Sequence, residues 1–269
     1  MRTVTMLGTA MMLAACGGAP EQPAATSANA QGQAPVPPTP PSPPAAAAKA
    51  SKTTIKNDSY SFDYTYPAKA AAIAPLARWL DGQREEMKVE LDKDTAEFRA
   101  EAKAGDFPFR AYESTVAWKV VTDTPRLLSL SAETWAYTGG AHGSPGYDAV
   151  VWDKAAGERL KPTDLFTSTD AIQTAIGTAF CAEIDKQREE RRGEPVVRAD
   201  DSFNACPKVD EATLILGSTD RQMIDRVGLL VGPYVAGPYA EGVFEVTLPV
   251  TPALLSAVKP AYRDLFRAR

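Results

Sequence analysis

One segment that cannot build a core sets the limits of this chain. From Gly17 to about Lys52 the residues are mainly Ala, Pro, Gln and Ser, centred on Pro35-Val36-Pro37-Pro38-Thr39-Pro40-Pro41-Ser42-Pro43-Pro44. So little apolar surface cannot offset the entropy of ordering a backbone, and the proline half favours an extended spacer of about 3.1 Å per residue. A proline-rich ligand for a partner is the less common use of such a run. What folds must come after it. Residues 53–269 are of a size that one domain accounts for, and a chain with 44% hydrophobic and 23% charged residues has the means to fill a core.

Ahead of the spacer stand Arg2, an apolar run from Val4 to Leu13, and Leu13-Ala14-Ala15-Cys16. The run is too short for a permanent membrane span. The tetrapeptide resembles a bacterial lipobox, which implies a signal peptide over residues 1–15, a lipidated Cys16 as first mature residue, and a tether over 16–52. An ordinary leader that happens to carry a cysteine is the alternative. Gly17 stands where the sorting pattern of two-membrane bacteria places a retention aspartate, so the periplasmic face of the outer membrane is the expected address. In that oxidising compartment Cys181 and Cys206 are expected to pair, closing a loop of roughly 25 residues. Two separate thiols are the plainer option, and a metal pair has no Cys or His neighbour at ligand spacing.

The formal net charge of −5 and the pI near 5.1 give no basic footprint for nucleic acid and suit a basic partner better.

In the folded part, Tyr60, Phe62, Tyr64 and Tyr66 alternate with polar residues, which predicts a half-buried strand stopped by Pro67. Ile73, Leu76, Leu80, Met87, Leu91 and Phe98 recur at helical spacing, predicting one long amphipathic helix from about Ala70 to Lys103. Strands are expected at 112–120 and 127–137, joined by a turn at Asp123-Thr124-Pro125, and again at 149–153 with a short hairpin to Arg159-Leu160. A second helix should start at Asp170 as N-cap and stop at Arg191-Arg192-Gly193. Strands at 213–216, 227–231 and 243–248 and a short helix after Pro252 complete the pattern. Without strict strand-helix alternation the class is α+β, mainly antiparallel, with two long helices and two lobes meeting near residue 140.

Two glycine-rich loops carry what chemistry there is. The first, Tyr137-Thr138-Gly139-Gly140-Ala141-His142-Gly143-Ser144-Pro145-Gly146-Tyr147, holds the single histidine of the chain. One histidine rules out His-His metal sites and di-iron repeats, so no metal or other cofactor is expected. Ser144 lies close by, but there is no Gly-x-Ser-x-Gly elbow. The second, Gly232-Pro233-Tyr234-Val235-Ala236-Gly237-Pro238-Tyr239-Ala240-Glu241-Gly242, offers two rings on a stiff backbone, suited to recognition or to packing on a sheet edge. Tyr137, Gly139, Gly140, His142, Tyr147, Tyr234, Tyr239 and Glu241 are the candidate binding residues.

These loops, with Trp152-Asp153, Gly157-Glu158-Arg159-Leu160 and Asp164-Leu165-Phe166, resemble the uncharacterised exported domain family that forms the extracytoplasmic part of the lysozyme-sensing anti-sigma factor RsiV. Related domains precede the catalytic module of PdaC-like peptidoglycan deacetylases. The resemblance implies an envelope module that binds lysozyme or peptidoglycan. Neither a membrane-spanning segment nor a deacetylase histidine set is found, so anti-sigma action and deacetylation are not implied. Two other readings remain: a cell-wall hydrolase with His142 as base and Asp148, Asp153 or Glu241 as acid partner, and a tethered stabiliser of an envelope assembly.

Overall fold

The computed structural model describes residues 48–198 and 203–269; the expected signal peptide, Cys16 and nearly all of the tether lie outside the described residues. Strands β1 (Ser51–Lys56) and β2 (Tyr60–Tyr66) form a hairpin whose turn is fixed by Asn57, its side-chain oxygen accepting from the amides of Ser59 and Tyr60 at 2.8 and 2.9 Å. All four aromatic side chains of β2 are buried, as their alternation requires. The long helical pattern is interrupted once, giving a single turn α1 (Ala68–Ala71) and then α2 (Ala74–Ala104), with Ile73 in extended geometry between them and Pro75 in the first turn of α2.

Helix α2 carries the chain back so that β3 (Tyr112–Asp123) pairs parallel to β2, a crossover that only a helix-length connection can make. Antiparallel β4 (Leu127–Tyr137), β5 (Ser144–Asp153) and β6 (Glu158–Leu160) follow, completing a six-stranded sheet in sequence order. Leu76 and Leu80 of α2 are sealed on one face against Tyr64, Val116, Trp118, Leu128, Leu130 and Val150. Each such side chain contributes about 1.5–3 kcal/mol by leaving water. The indole N–H of Trp118 donates to the Tyr64 hydroxyl at 3.0 Å, which satisfies both polar tips inside that core.

The second face takes the other hydrophobic cluster. Leu127 and Val151 join a three-stranded antiparallel sheet of β7 (Thr213–Gly217), β8 (Arg226–Val231) and β9 (Phe244–Pro249). Helix α3 (Thr169–Arg192) lays Ile172, Ile176, Phe180 and Ile184 into the same cluster, and α4 (Pro252–Ala257) adds Leu254 and Ala257. The class is therefore α+β as expected, mainly antiparallel, with two long helices.

The starts of α3 and β5 also differ from the sequence reading, and β3 runs on to Asp123. Ser168, not Asp170, caps α3, its hydroxyl accepting from the Ala171 amide at 3.0 Å; Asp170 instead sits in the first turn, where its charge favours the helix dipole. Strand β5 starts at Ser144 rather than Ala149, because Tyr147 and Pro145 pair with Glu133 and Trp135 across the glycine-rich stretch. Gly193 ends α3 in the left-handed conformation at φ 71°. Cys181 and Cys206 form a disulfide with Cα atoms 5.3 Å apart. Among the described residues no helix is long and apolar enough to cross a membrane.

Candidate functional site

The two glycine-rich loops meet. Residues 138–143 join β4 to β5 and residues 232–243 join β8 to β9, and where they touch the His142 imidazole stacks on the Tyr239 ring, centroids 3.7 Å apart and planes 23° from parallel. The Tyr234 hydroxyl reaches His142 Nε2 at 3.3 Å, and His142 Nδ1 lies 3.0 Å from the Gly143 carbonyl oxygen. A carbonyl can only accept, so Nδ1 donates to it, while Nε2 shares a hydrogen bond with the phenol. The Tyr239 hydroxyl donates to the same Gly143 oxygen at 2.8 Å. Two rings from two loops, His142 and Tyr239, thus share one carbonyl, and Tyr234 joins them through His142.

Tyr234 is the outermost of them. It is 54% exposed, and its backbone lies in the left-handed region at φ 70°, an uncommon place for a bulky side chain. The turn that imposes this is closed by the Tyr234 amide on the Gly237 carbonyl at 2.9 Å.

Beside the cluster runs an open groove of about 290 Å³ over the second face of the large sheet, floored by Thr115, Ala117, Glu133 and Trp135 and walled by Tyr147 and Val243. The small sheet covers Leu127 and Val151 farther along this face but leaves this end open. The loop can lie on the Trp135 indole only because residue 143 is glycine: a Cβ there would sit 2.2 Å from the ring. Tyr147 has its phenol pushed above its ordinary value by burial, with Glu245 and Glu133 adding to the effect; Glu133 itself is paired with Lys119.

What holds the second loop is the C-terminal end of α3. Arg188, wholly buried, donates to the carbonyls of Ala236 (2.7 Å) and Ala205 (2.9 Å) and to Asp185 (3.1 Å). Arg191 reaches the carbonyls of Glu241 and Val243 at 2.6 and 2.8 Å, and Arg192 makes a two-pronged pair with the Glu241 carboxylate at 2.8 and 3.0 Å. Sequence reasoning read Arg191 and Arg192 only as part of a helix stop and missed Arg188. The available signal was their spacing, three and four residues apart, which puts Arg188 beside both others on one face.

The remaining candidates lie elsewhere. Tyr137 lines a shallow groove with Met87, Leu91 and Tyr112 on the α2 side of the sheet, and Gly139, at φ 86°, has its Cβ position 3.2 Å from the Phe98 ring. The Gly140 carbonyl accepts from Arg110 at 3.4 Å. Asp153 is buried and engaged by Arg126 at 2.5 and 2.8 Å, which holds its carboxyl below the usual range. Asp148 accepts from the Ala149 amide, and Glu241 belongs to Arg192. Among the described residues the partners of His142 are Tyr234, Tyr239 and Gly143. Among the described residues no group of three or more His, Cys, Asp or Glu side chains could hold a metal ion.

With this geometry in place, comparison with known proteins bears on the first half of the domain. Residues 53–145 match the family model described as Deacetylase PdaC. The matched segment begins within β1, takes in β2 to β4 and all of the His142 loop, and ends at the start of β5, well before the loop that carries Tyr234 and Tyr239. No curated protein matches the chain. Among solved structures, a DUF3298 family protein from Pseudomonas aeruginosa PAO1 is 17% identical, covering 82% of this chain and 98% of its own, with a TM-score of 0.47. A DUF3298 member from Bacteroides fragilis NCTC 9343 is 13% identical, covering 81% and 97%, with a TM-score of 0.47.

Proposed function

We propose that this protein is a non-catalytic binding module of the cell envelope, anchored through a lipidated Cys16 on the periplasmic face of the outer membrane. Its ligand is a lysozyme-like protein or a peptidoglycan fragment, taken at the surface formed by Tyr234, Tyr239, His142 and the Trp135 groove. The observation that carries this reading is Tyr234. A left-handed backbone costs a non-glycine residue of order 1 kcal/mol, and such strain persists where surrounding structure imposes it for a purpose. Here the strain lifts an aromatic ring into solvent while His142 fixes its hydroxyl.

Rings held in place before contact lose little entropy on binding, and each gives a large apolar area with a polar tip. The adjoining groove offers Trp135 as a floor, and the protein's net charge of −5 suits a basic partner. The RsiV-like side of the resemblance motivates lysozyme as one probe, and the PdaC-like side motivates peptidoglycan as the other. Deacetylation is not carried over from the matched family's description, because the one imidazole of the chain is already bonded at both nitrogens.

The test is calorimetric titration of the folded protein with lysozyme and, separately, with soluble peptidoglycan fragments. Saturable binding of either supports the reading. Absence of binding to both removes it.

A further inference from the structure

At the opposite edge of the fold a groove of about 510 Å³ opens between the β3–β4 turn and the β7–β8 turn, and its lining is cationic in an acidic protein. Lys69, Arg221 and Arg226 face it against one carboxylate, Asp123, a surplus of two positive charges. The carboxylates around it are already engaged. Asp123 is shared by Lys69 and Lys154, Asp220 by the Gln222 amide and Arg267, and buried Asp225 by Thr219, Arg267 and Arg269. Among the described residues, neither Arg221 nor Arg226 is in an ion pair; Arg226 donates to the Thr219 hydroxyl and the Ser218 carbonyl, both at 3.2 Å.

Two features show that this arrangement is built. Arg221 sits at φ 59°, in the left-handed region, inside a turn locked by Asp220 and Asp225. Arg226 lies flat across Gly217, where a Cβ would meet its side chain at 2.8 Å, so glycine is needed for the guanidinium to take this path. A strained arginine and a second guanidinium laid over a glycine, both on a polar groove, are arranged for an anion. The planar donor fork of a guanidinium matches the acceptor oxygens of an oxyanion and binds them through two parallel N–H bonds.

We infer that this groove binds a phosphate monoester or inorganic phosphate, whose charge near −2 matches the surplus on Lys69, Arg221 and Arg226. The site is independent of the aromatic surface on the other loops. A singly charged diester, such as a lipid headgroup linkage, leaves one positive charge uncompensated and fits less well.

The experiment is isothermal titration of the full chain at fixed ionic strength with inorganic phosphate, dimethyl phosphate and acetate. It is repeated on Arg221→Gly, a substitution that accepts the left-handed backbone while removing the cation. Phosphate is expected to saturate one site about tenfold more tightly than either singly charged anion, and Arg221→Gly to weaken it about tenfold with no fall in the thermal midpoint. No saturable phosphate binding, equal affinity for all three anions, or unchanged affinity in Arg221→Gly would each overturn the assignment.

Discussion

Arg188 Nε donates to the Ala236 carbonyl at 2.7 Å from a side chain with no exposed surface, and this bond fastens the loop carrying Tyr234 and Tyr239 to α3. A guanidinium so enclosed tolerates burial only because its donors are matched by Ala236, Ala205 and Asp185. Arg188→Ala leaves those acceptors unpaired and a void behind. It should cost about 3 kcal/mol or more in urea unfolding. A loss below about 1 kcal/mol would show that the loop has other support.

The disulfide acts on the same framework. Cys206 follows Ala205, whose carbonyl Arg188 holds, and Cys181 lies on α3, so the covalent bond and the arginine fix one loop from two sides. Closing a 25-residue separation is valued at about 3 to 4 kcal/mol by the chain-entropy model. The Cys181→Ser/Cys206→Ser double variant should lose stability by that amount. Combined with Arg188→Ala it should lose less than the sum, since the two share a target. Strict additivity in denaturation would contradict the coupling.

Gly143→Ala tests the seat of the first loop. A methyl 2.2 Å from the Trp135 ring forces the loop away, with a cost of about 1–3 kcal/mol and a shift in tryptophan fluorescence. Unchanged emission and midpoint would mean that the loop does not rest on the indole.

Acid stability draws on the carboxylates that the fold holds low, among them Asp153 and Asp220. Asp153 is held low by Arg126, and Asp220 is brought down to about 2 chiefly by the Gln222 amide and by Arg267. A depressed folded-state value stabilises the fold above the unfolded carboxylate range, near 3.8, and the contribution disappears as pH falls through the folded value. These groups therefore predict stability that is flat from neutrality to about pH 4 and falls between about pH 4 and pH 2. Asp153→Asn should start lower and lose less over that interval. An equal fall in wild type and variant would remove Asp153 from the account.

Much of this architecture was legible because side-chain periodicity is local. The Tyr60-Phe62-Tyr64-Tyr66 alternation marks β2 and the Ile73 to Phe98 spacing marks α2 without knowledge of their partners. The parallel pairing of β2 with β3 was not legible, since it depends on where α2 delivers the chain. The candidate loops could be named from their glycines, aromatic rings and histidine, but their meeting could not, because His142 and Tyr239 are joined only through packing of the two sheets. Trp135 gave a faint signal, a large apolar residue out of phase with the inward series Leu128, Leu130 and Ala132 on β4. Glu241 was named as a binding residue of the second loop, and only the fold shows its carboxylate given to Arg192.

The central claim is that Tyr234 is held in strain to meet a ligand, and Tyr234→Gly separates that role from folding. Glycine takes the same backbone without penalty, so the variant should unfold at a midpoint no lower than wild type. Its affinity for whichever of lysozyme or peptidoglycan fragments the wild type binds should fall by about tenfold or more, as expected of an aromatic anchor. A well-folded variant that binds as tightly as wild type would contradict the account.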